Sequence, residues 1–494
     1  MALALASGDL AAAANPPKPY RPPAPTPRPR PLGAFALIRT LHRNPLECWA
    51  EEHFERPIVR VPLPFGHAVL VHEPAAIRHV LLDNAANYRK DALQRRVLSA
   101  GLSDGLLSAE GEQWHVQRRT LAPMFARRSV MSFAPAMMDA AQALAERWAR
   151  QTDRASCATI DVAAEVTRLT LDVLERTIFS DGLGRDSEQF RLAMTAYFNS
   201  IGRISPLDLM GVPDFVPRMA RLRVRSSLKF FEAAIDTMIA TRRARLAANP
   251  ASAPRDILTL LLDALDPETG ERMTAQEVRS NILTFIAAGH ETTANALAWS
   301  LFLLSQSPHW RERVEAEVDR EIGFAPLAGV ARVGVEGLAD RLAVTRAVIE
   351  EAIRLYPPIA AISRVAIAAD TLGSEPLRRA SLVVIAPYVL HRHRLLWDDP
   401  DAFDPGRFLG EARKTIDRFA YLPFGAGPRT CIGSAFALQE ATLVLAVIMR
   451  RFSLTLAPRH AVWPLLRVTL RPAGGLPMAV RRRTGATEKA GYSG

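Results

Sequence analysis

Cysteine is scarce in this chain: 494 residues contain three, Cys48, Cys157 and Cys431, far apart. Such a set builds neither a disulfide framework nor a four-ligand zinc site, and it fits a reducing compartment. No run of 18 or more apolar residues occurs, so no transmembrane helix is expected. The start, MALALASGDLAAAA, carries Asp9 and lacks a basic cluster, which argues against a secretory signal. Lysine is rare beside arginine. The formal net charge of +11 is accompanied by no Lys-rich tract and no nucleic-acid motif, so a basic face meeting an acidic protein is the better reading of the charge. Internal repeats are absent as well.

Hydrophobic residues make up 49% of the chain, enough for a large core. Residues 16–31 (PPKPYRPPAPTPRPRP) are too proline-dense for helix or central strand, and residues 1–31 are expected to form an extended proline-rich lead-in. From Leu32 to about residue 480 no second linker appears, which predicts a single domain, followed by a loose tail over 481–494. Ile58–Val61 and Ala68–His72 read as an early strand pair, and Pro74 opens a helix through Leu82. Arg467-Val-Thr-Leu and Met478-Ala-Val read as late strands around Gly474-Gly475. Helical periodicity covers 129–151, 158–180, 219–247, 255–265, 275–305, 308–322 and 340–355. The expected fold class is therefore mainly α with a small β region.

The most informative segment is 424–433, Phe-Gly-Ala-Gly-Pro-Arg-Thr-Cys-Ile-Gly, directly before the helical run 435–451. Cys431 then lies at or just before a helix N-terminus, where the dipole favours a thiolate. Gly427 and Gly433 let the backbone approach a flat ligand. Arg429 offers a planar donor to a carboxylate, and Phe424 is placed to shield the sulfur. The central helical run holds Ala288-Gly289-His290-Glu291-Thr292-Thr293. Gly inside a helix costs about 1 kcal/mol relative to Ala. The Thr292 hydroxyl reaches back to the Ala288 carbonyl, bending or opening the helix. A local rule broken without structural gain points to function. Glu351 and Arg354 share a helix face ahead of Pro357-Pro358, and Trp114 and Arg118 share another.

These segments resemble four motifs of the cytochrome P450 family, in the family's order: W-x-x-x-R, A-G-x-[DE]-T, E-x-x-R and F-x-x-G-x-R-x-C-x-G. The resemblance implies the P450 fold, with haem b between the long central helix and the cysteine loop. It implies Cys431 as the iron ligand, and Trp114, Arg118, Arg364 and Arg429 at the haem propionates. Phe424 and Gly433 would complete the cofactor-binding loop. Thr292 would govern O2 scission and Glu291 would relay protons. Glu351 and Arg354, with Arg407 of the segment Phe403-Asp-Pro-Gly-Arg-Phe408, would brace the cysteine loop.

The activity so implied is that of a haem-thiolate monooxygenase: one atom of O2 goes into an apolar substrate by hydroxylation or epoxidation. Peroxygenase or isomerase chemistry, and a non-catalytic haem sensor, are the alternatives. The membrane anchor and fused flavin reductase of some relatives are not seen. The expectation is a soluble, cytoplasmic, bacterial-type monomer whose electrons come from NAD(P)H through a separate acidic ferredoxin or flavodoxin. Its docking face would use Arg118, Arg119, Arg127, Arg128, Arg413, Lys414, Arg450 and Arg451. The substrate pocket is expected from the loop after Tyr88, from Phe285 and Ala288, from 359–362, and from the turn at Gly475-Leu476.

Overall fold

A computed structural model of the chain describes residues 18–63, 66–92, 94–95, 104–180, 219–323 and 335–483. Among these, the longer helices are α1 (Ala34–Arg43), α2 (Gly111–Leu121), α3 (Ala134–Ala155), α4 (Val162–Ile178), α5 (Met219–Ala248), α6 (Ile257–Asp263), α7 (Ala275–Ser305), α8 (Pro308–Ile322), α9 (Ala343–Leu355) and α10 (Ser434–Arg451). Helix α7 is the axis of the protein. It packs against α4, α5, α8, α9 and α10, and most of its side chains are buried along its whole length. Its start is fixed locally: the Thr274 hydroxyl accepts from the Glu277 N–H, and the Glu277 carboxylate accepts from the Thr274 N–H.

The β structure is peripheral. Strands β1 (Ile58–Leu63), β2 (Gly66–Val71), β3 (Tyr88–Arg89), β5 (Ile362–Ala366) and β8 (Leu382–Ile385) form a sheet in the order β1-β2-β8-β5-β3. Only the β2–β8 pair is parallel. Strands β6 (Asp370–Leu372) and β7 (Glu375–Leu377) make one hairpin, and β10 (Pro464–Leu466) and β11 (Leu470–Pro472) another. Strands β4 (Ala158–Asp161), β12 (Pro477–Arg482) and β9 (Phe452–Leu456) form a third sheet. This is the mainly helical protein with a small β region that the periodicity predicts.

Three local expectations need correction. Residues 158–161 are strand, not the start of a helix: Ala158–Asp161 pair with Pro477–Val480, and Asp161 caps α4 by accepting from the Ala163 and Ala164 N–H groups. The helix therefore begins at Val162. Arg467–Thr469 form the tip of the β10–β11 hairpin, not a strand. Arg481 and Arg482 still belong to β12, and residues 484–494 of the expected tail lie outside the described residues.

The part of the proline-rich lead-in that is described is tied to the body. The Tyr356 hydroxyl donates to the Pro23 carbonyl at 2.7 Å, and the Phe403 N–H donates to the Tyr20 carbonyl at 2.8 Å. Tyr356 is itself stacked on Trp299 of α7, centroids 3.7 Å apart. Proline has no N–H, so around the prolines the segment is held through carbonyls, while Arg28 donates its own N–H to the Trp49 carbonyl at 3.0 Å.

Candidate active site

The segment 421–433 runs between α9 and α10 and folds back on itself. The Cys431 N–H donates to the Phe424 carbonyl at 2.8 Å. Gly427 has φ +70°, and a Cβ there would stand 1.7 Å from the Leu81 carbonyl oxygen. Gly427 is thus required by packing against residues 79–83, a reason different from the ligand approach expected of it. A Cβ at Gly433 would meet nothing within 4 Å, which agrees with its place on the cavity wall.

The Cys431 sulfur is open to a cavity and enclosed by protein elsewhere. Burial pushes its thiol pKa up, while the Gly433 N–H and the Arg118 charge pull the other way. Both contacts favour the thiolate form of the sulfur, against the effect of burial.

The loop is braced from behind. Glu351 and Arg354 are completely buried and paired in a fork, Nε–Oε2 2.6 Å and Nη2–Oε1 2.8 Å. Arg354 also donates to the carbonyls of His391, Pro400 and Ala402 at 2.7–2.9 Å. The Asp404 N–H donates to Glu351 at 2.8 Å, and Arg407 stands 3.7 Å from the same carboxylate. His391 accepts from the Leu422 N–H at 2.8 Å. A continuous hydrogen-bonded path therefore links the pair to the chain entering the cysteine loop.

Cys431, Trp114, Arg118, Arg364, Phe424, Arg429, Gly433, Glu291 and Thr292 all line one cavity of about 460 Å³. Trp114 is capped by Arg429, whose guanidinium carbon lies 4.3 Å from the ring centre; the cation over Trp114 is Arg429 and not Arg118. Arg429 also donates to Glu110 at 2.9 Å. Two residues of this rim escaped the sequence reading. Lys90 stands 3.2 Å from Glu110, and burial, with the Arg429 charge, lowers its pKa to about 8. A charged residue directly after the β-rich Tyr88-Arg89 was the available signal. Glu110, just before α2, carried none.

On α7 the Thr292 hydroxyl donates to the Ala288 carbonyl at 2.7 Å, as the sequence predicts. The helix nevertheless remains continuous. Gly289 has a packing reason too: its Cβ would lie 3.2 Å from Leu174 of α4. The neighbouring His290 carbonyl accepts the Thr170 hydroxyl at 2.8 Å. Glu291 is held by Arg471 of β11 at 3.4 Å and by the Thr469 hydroxyl, which also accepts from Asn295 at 3.0 Å. Burial raises the Glu291 pKa, and Arg471 and Thr469 oppose the rise. No local pattern announces Arg471; a hairpin 180 residues later brings it there.

The rest of the wall is mainly apolar: Leu106, Leu107, Phe125, Leu174, Phe285, Ala288, Ile359 and Ile362. The turn at Gly475-Leu476 is not part of it. That turn packs on Asp161, which accepts from the Leu476 N–H at 2.9 Å, and the hairpin tip Val468-Thr469 lines the cavity instead.

The predicted basic face is also smaller than the sequence suggests. Arg118 is inside the cavity. Arg119 pairs with Asp266, Arg127 with Asp340, Arg413 with Glu350 and Lys414 with Glu411. Arg450 is buried and donates to the Gly323 carbonyl. Arg128 is exposed.

The sequence profile described as Cytochrome P450 matches residues 22–476. This chain belongs to the cytochrome P450 family. It is 32% identical to cyclooctatin synthase of Streptomyces melanosporofaciens, over 91% of this chain and 93% of that one. It is 32% identical to cyclooctat-9-en-7-ol 5-monooxygenase of the same organism, over 85% and 87%. The crystal structure of the cytochrome P450DA heme domain superposes with a TM-score of 0.77 at 27% identity, covering 94% of this chain and 98% of that one. The protein is a P450 monooxygenase, an oxidoreductase, and membership implies haem and the use of O2. No helix among the described residues is long and apolar enough to cross a membrane.

The residues present fit a haem. Among the described residues, one cysteine sulfur faces the cavity and no histidine lines it, while four cationic side chains, Lys90, Arg118, Arg364 and Arg429, do, an excess of positive charge suited to a group with two carboxylates.

Proposed function

We propose that this P450 inserts one oxygen atom into an apolar small molecule, with Cys431 as the iron ligand. The observation that carries the reading is convergence: the Cys431 sulfur, the Glu291–Thr292 pair and the cationic rim, from elements far apart in sequence, all open on one mainly apolar cavity. The relatives named above act, by their names, in making cyclooctatin and on cyclooctat-9-en-7-ol, and an unsaturated alcohol on a hydrocarbon frame fits such a wall.

When bound, haem supplies O2 activation: substrate, O2, two electrons and two protons become hydroxylated product and water. Trp114, Arg118, Arg364 and Arg429 position its carboxylates, and Lys90 joins them. Phe424 and Gly433 shape the sulfur side. The Thr292 hydroxyl, now on the Ala288 carbonyl, turns into the cavity to donate there. Glu291 passes protons inward. Its raised pKa keeps it ready to protonate, and the long contact with Arg471 lets it swing. The proposed electron donor is an acidic ferredoxin or flavodoxin that meets exposed basic residues such as Arg128, with salt-sensitive association. The proposed setting is the cytoplasm.

A spectral titration of the purified haem protein against a lipophilic panel tests this. A binder that shifts the iron spin state is expected, and with a ferredoxin, its reductase and NAD(P)H it should return a product heavier by one oxygen. A thiolate-haem spectrum with binding and reduction, but no oxygenated product, would contradict the reading in favour of a carrier.

A further inference from the structure

One part of the cavity wall is held in place by buried amides. Leu106 and Leu107 line the cavity, and Leu107 is 38% exposed. They sit in a short non-helical stretch, 104–109, lying against α7. Gly105 makes the contact: a Cβ there would stand 2.2 Å from the Thr284 hydroxyl oxygen and 2.5 Å from the Ser280 carbonyl oxygen. The Leu106 N–H donates to Asn281 Oδ1 at 2.9 Å. Asn281 Nδ2 donates to Gln117 Oε1 at 3.2 Å and to the Glu277 carbonyl at 2.9 Å. Gln117 Nε2 donates to the Asp104 carbonyl at 2.8 Å. Both amide side chains are fully buried. On the other side Lys90 donates to the carbonyls of Leu107 and Ala109 at 2.6 and 3.1 Å.

If the amide pair only joined α2 to α7, its bonds would end on those helices. Two of them end instead on the backbone of 104–106. A glycine whose Cβ would collide with α7 backbone is a second, independent sign that close docking of this stretch is specified.

We propose that Asn281 and Gln117 are a latch that fixes Leu106 and Leu107 as wall, and so sets the largest molecule the cavity admits. This rests on the proposed function, in which the cavity receives the substrate. A molecule that fits the closed cavity leaves the latch intact. A larger one must lift 104–107 and break the Leu106–Asn281 and Asp104–Gln117 bonds together, because each shares the amide pair. The two residues act as positioning residues for specificity, with no contact to the reacting atoms.

Two variants attack the latch from opposite sides: Asn281→Leu removes the acceptor, and Gly105→Ala pushes the stretch off α7. Two probes report on the full-length haem protein, imidazole as a small iron ligand and clotrimazole as a bulky one. Stopped-flow association of clotrimazole should rise about ten-fold in both variants, the factor that corresponds to ~1.4 kcal/mol, within the range of one hydrogen bond. Imidazole association should change less than about two-fold. Hydrogen exchange at the Leu106 amide should be slow in the parent and accelerate in both variants.

Loss of Leu106 protection with an unchanged clotrimazole-to-imidazole ratio would overturn the proposal, as would an unprotected Leu106 amide in the parent. The exchange measurement needs no haem. A protein with no thiolate-type spectrum would defeat the proposed function, while Leu106 protection would still decide whether the latch exists.

Discussion

Two of the Glu–Arg pairs in this part of the protein are built in opposite ways. Glu351–Arg354 is sealed: both side chains are wholly buried, the fork closes at 2.6 and 2.8 Å, and three carbonyls take further guanidinium donors. Glu291–Arg471 is loose: the contact is 3.4 Å, Arg471 is 37% exposed at its side chain, and Glu291 is 16% exposed. A buried pair with every donor and acceptor used is a fixed strut, since neither partner moves without stranding a charge. A long pair at the edge of solvent costs little to open, and its acid titrates higher because burial outweighs the arginine. The same two residue types make a fixed strut behind the cysteine loop and a loosely held pair on the cavity wall.

The sharpest way to break this comparison is to cross the substitutions. Arg354→Ala leaves the Glu351 carboxylate buried with its principal partner gone. A loss of about 3–5 kcal/mol is expected, read as a lower urea midpoint together with poor haem retention. Glu291→Gln should leave the urea midpoint nearly unchanged and lower product formation about 100-fold. Equal stability losses in the two variants would erase the distinction. Thr292→Ala should keep haem and substrate binding and divert electrons to peroxide. Unchanged coupling of NAD(P)H to product would count against a role for that hydroxyl.

Arg471→Met sharpens the comparison on the loose side. Arg471 holds the Glu291 pKa down. Without it the pKa rises further, so the pH-rate limb that reports this acid should move to higher pH, with a change of only a few-fold in maximum rate.

The sealed region makes a pH prediction of its own. Burial pushes the His72 and His391 pKa values down to about 3, and neither ring nitrogen of His72 has a hydrogen-bond partner. In the unfolded chain these rings titrate near 6.5. Above that pH both states are neutral and the rings have no effect. As the pH falls from about 6.5 toward 3, only the unfolded chain takes up the protons, and stability drops. His72→Leu should reduce the loss by about 1.4 kcal/mol per pH unit in that window, measured by urea unfolding at stepped pH. A slope equal to the parent's would contradict the neutral buried ring.

What could be read in advance follows from how local the cause was. In the Thr292 back-bond and the α7 capping box the two partners lie within a few residues of each other, and both form as the pattern indicates. The strand at 158–161 was misread because its partner lies about 320 residues later, in β12; periodicity alone continued the helix. Gly427 has a packing reason that its own motif does not show, the Leu81 carbonyl 346 positions earlier. Lys90, Glu110 and Arg471 reach the site only through topology. The basic face was overcounted because sequence shows cations without the acids that pair with them. Convergence of named motifs carried the site, and long-range pairing supplied what they lacked.

The central claim is the bond between the Cys431 sulfur and haem iron, and one spectrum tests it most directly. Reduced protein exposed to carbon monoxide should show the strongly red-shifted Soret band of thiolate ligation, and Cys431→Ser should abolish it. A parent protein that binds haem without that band, or a serine variant that retains it, would contradict the account.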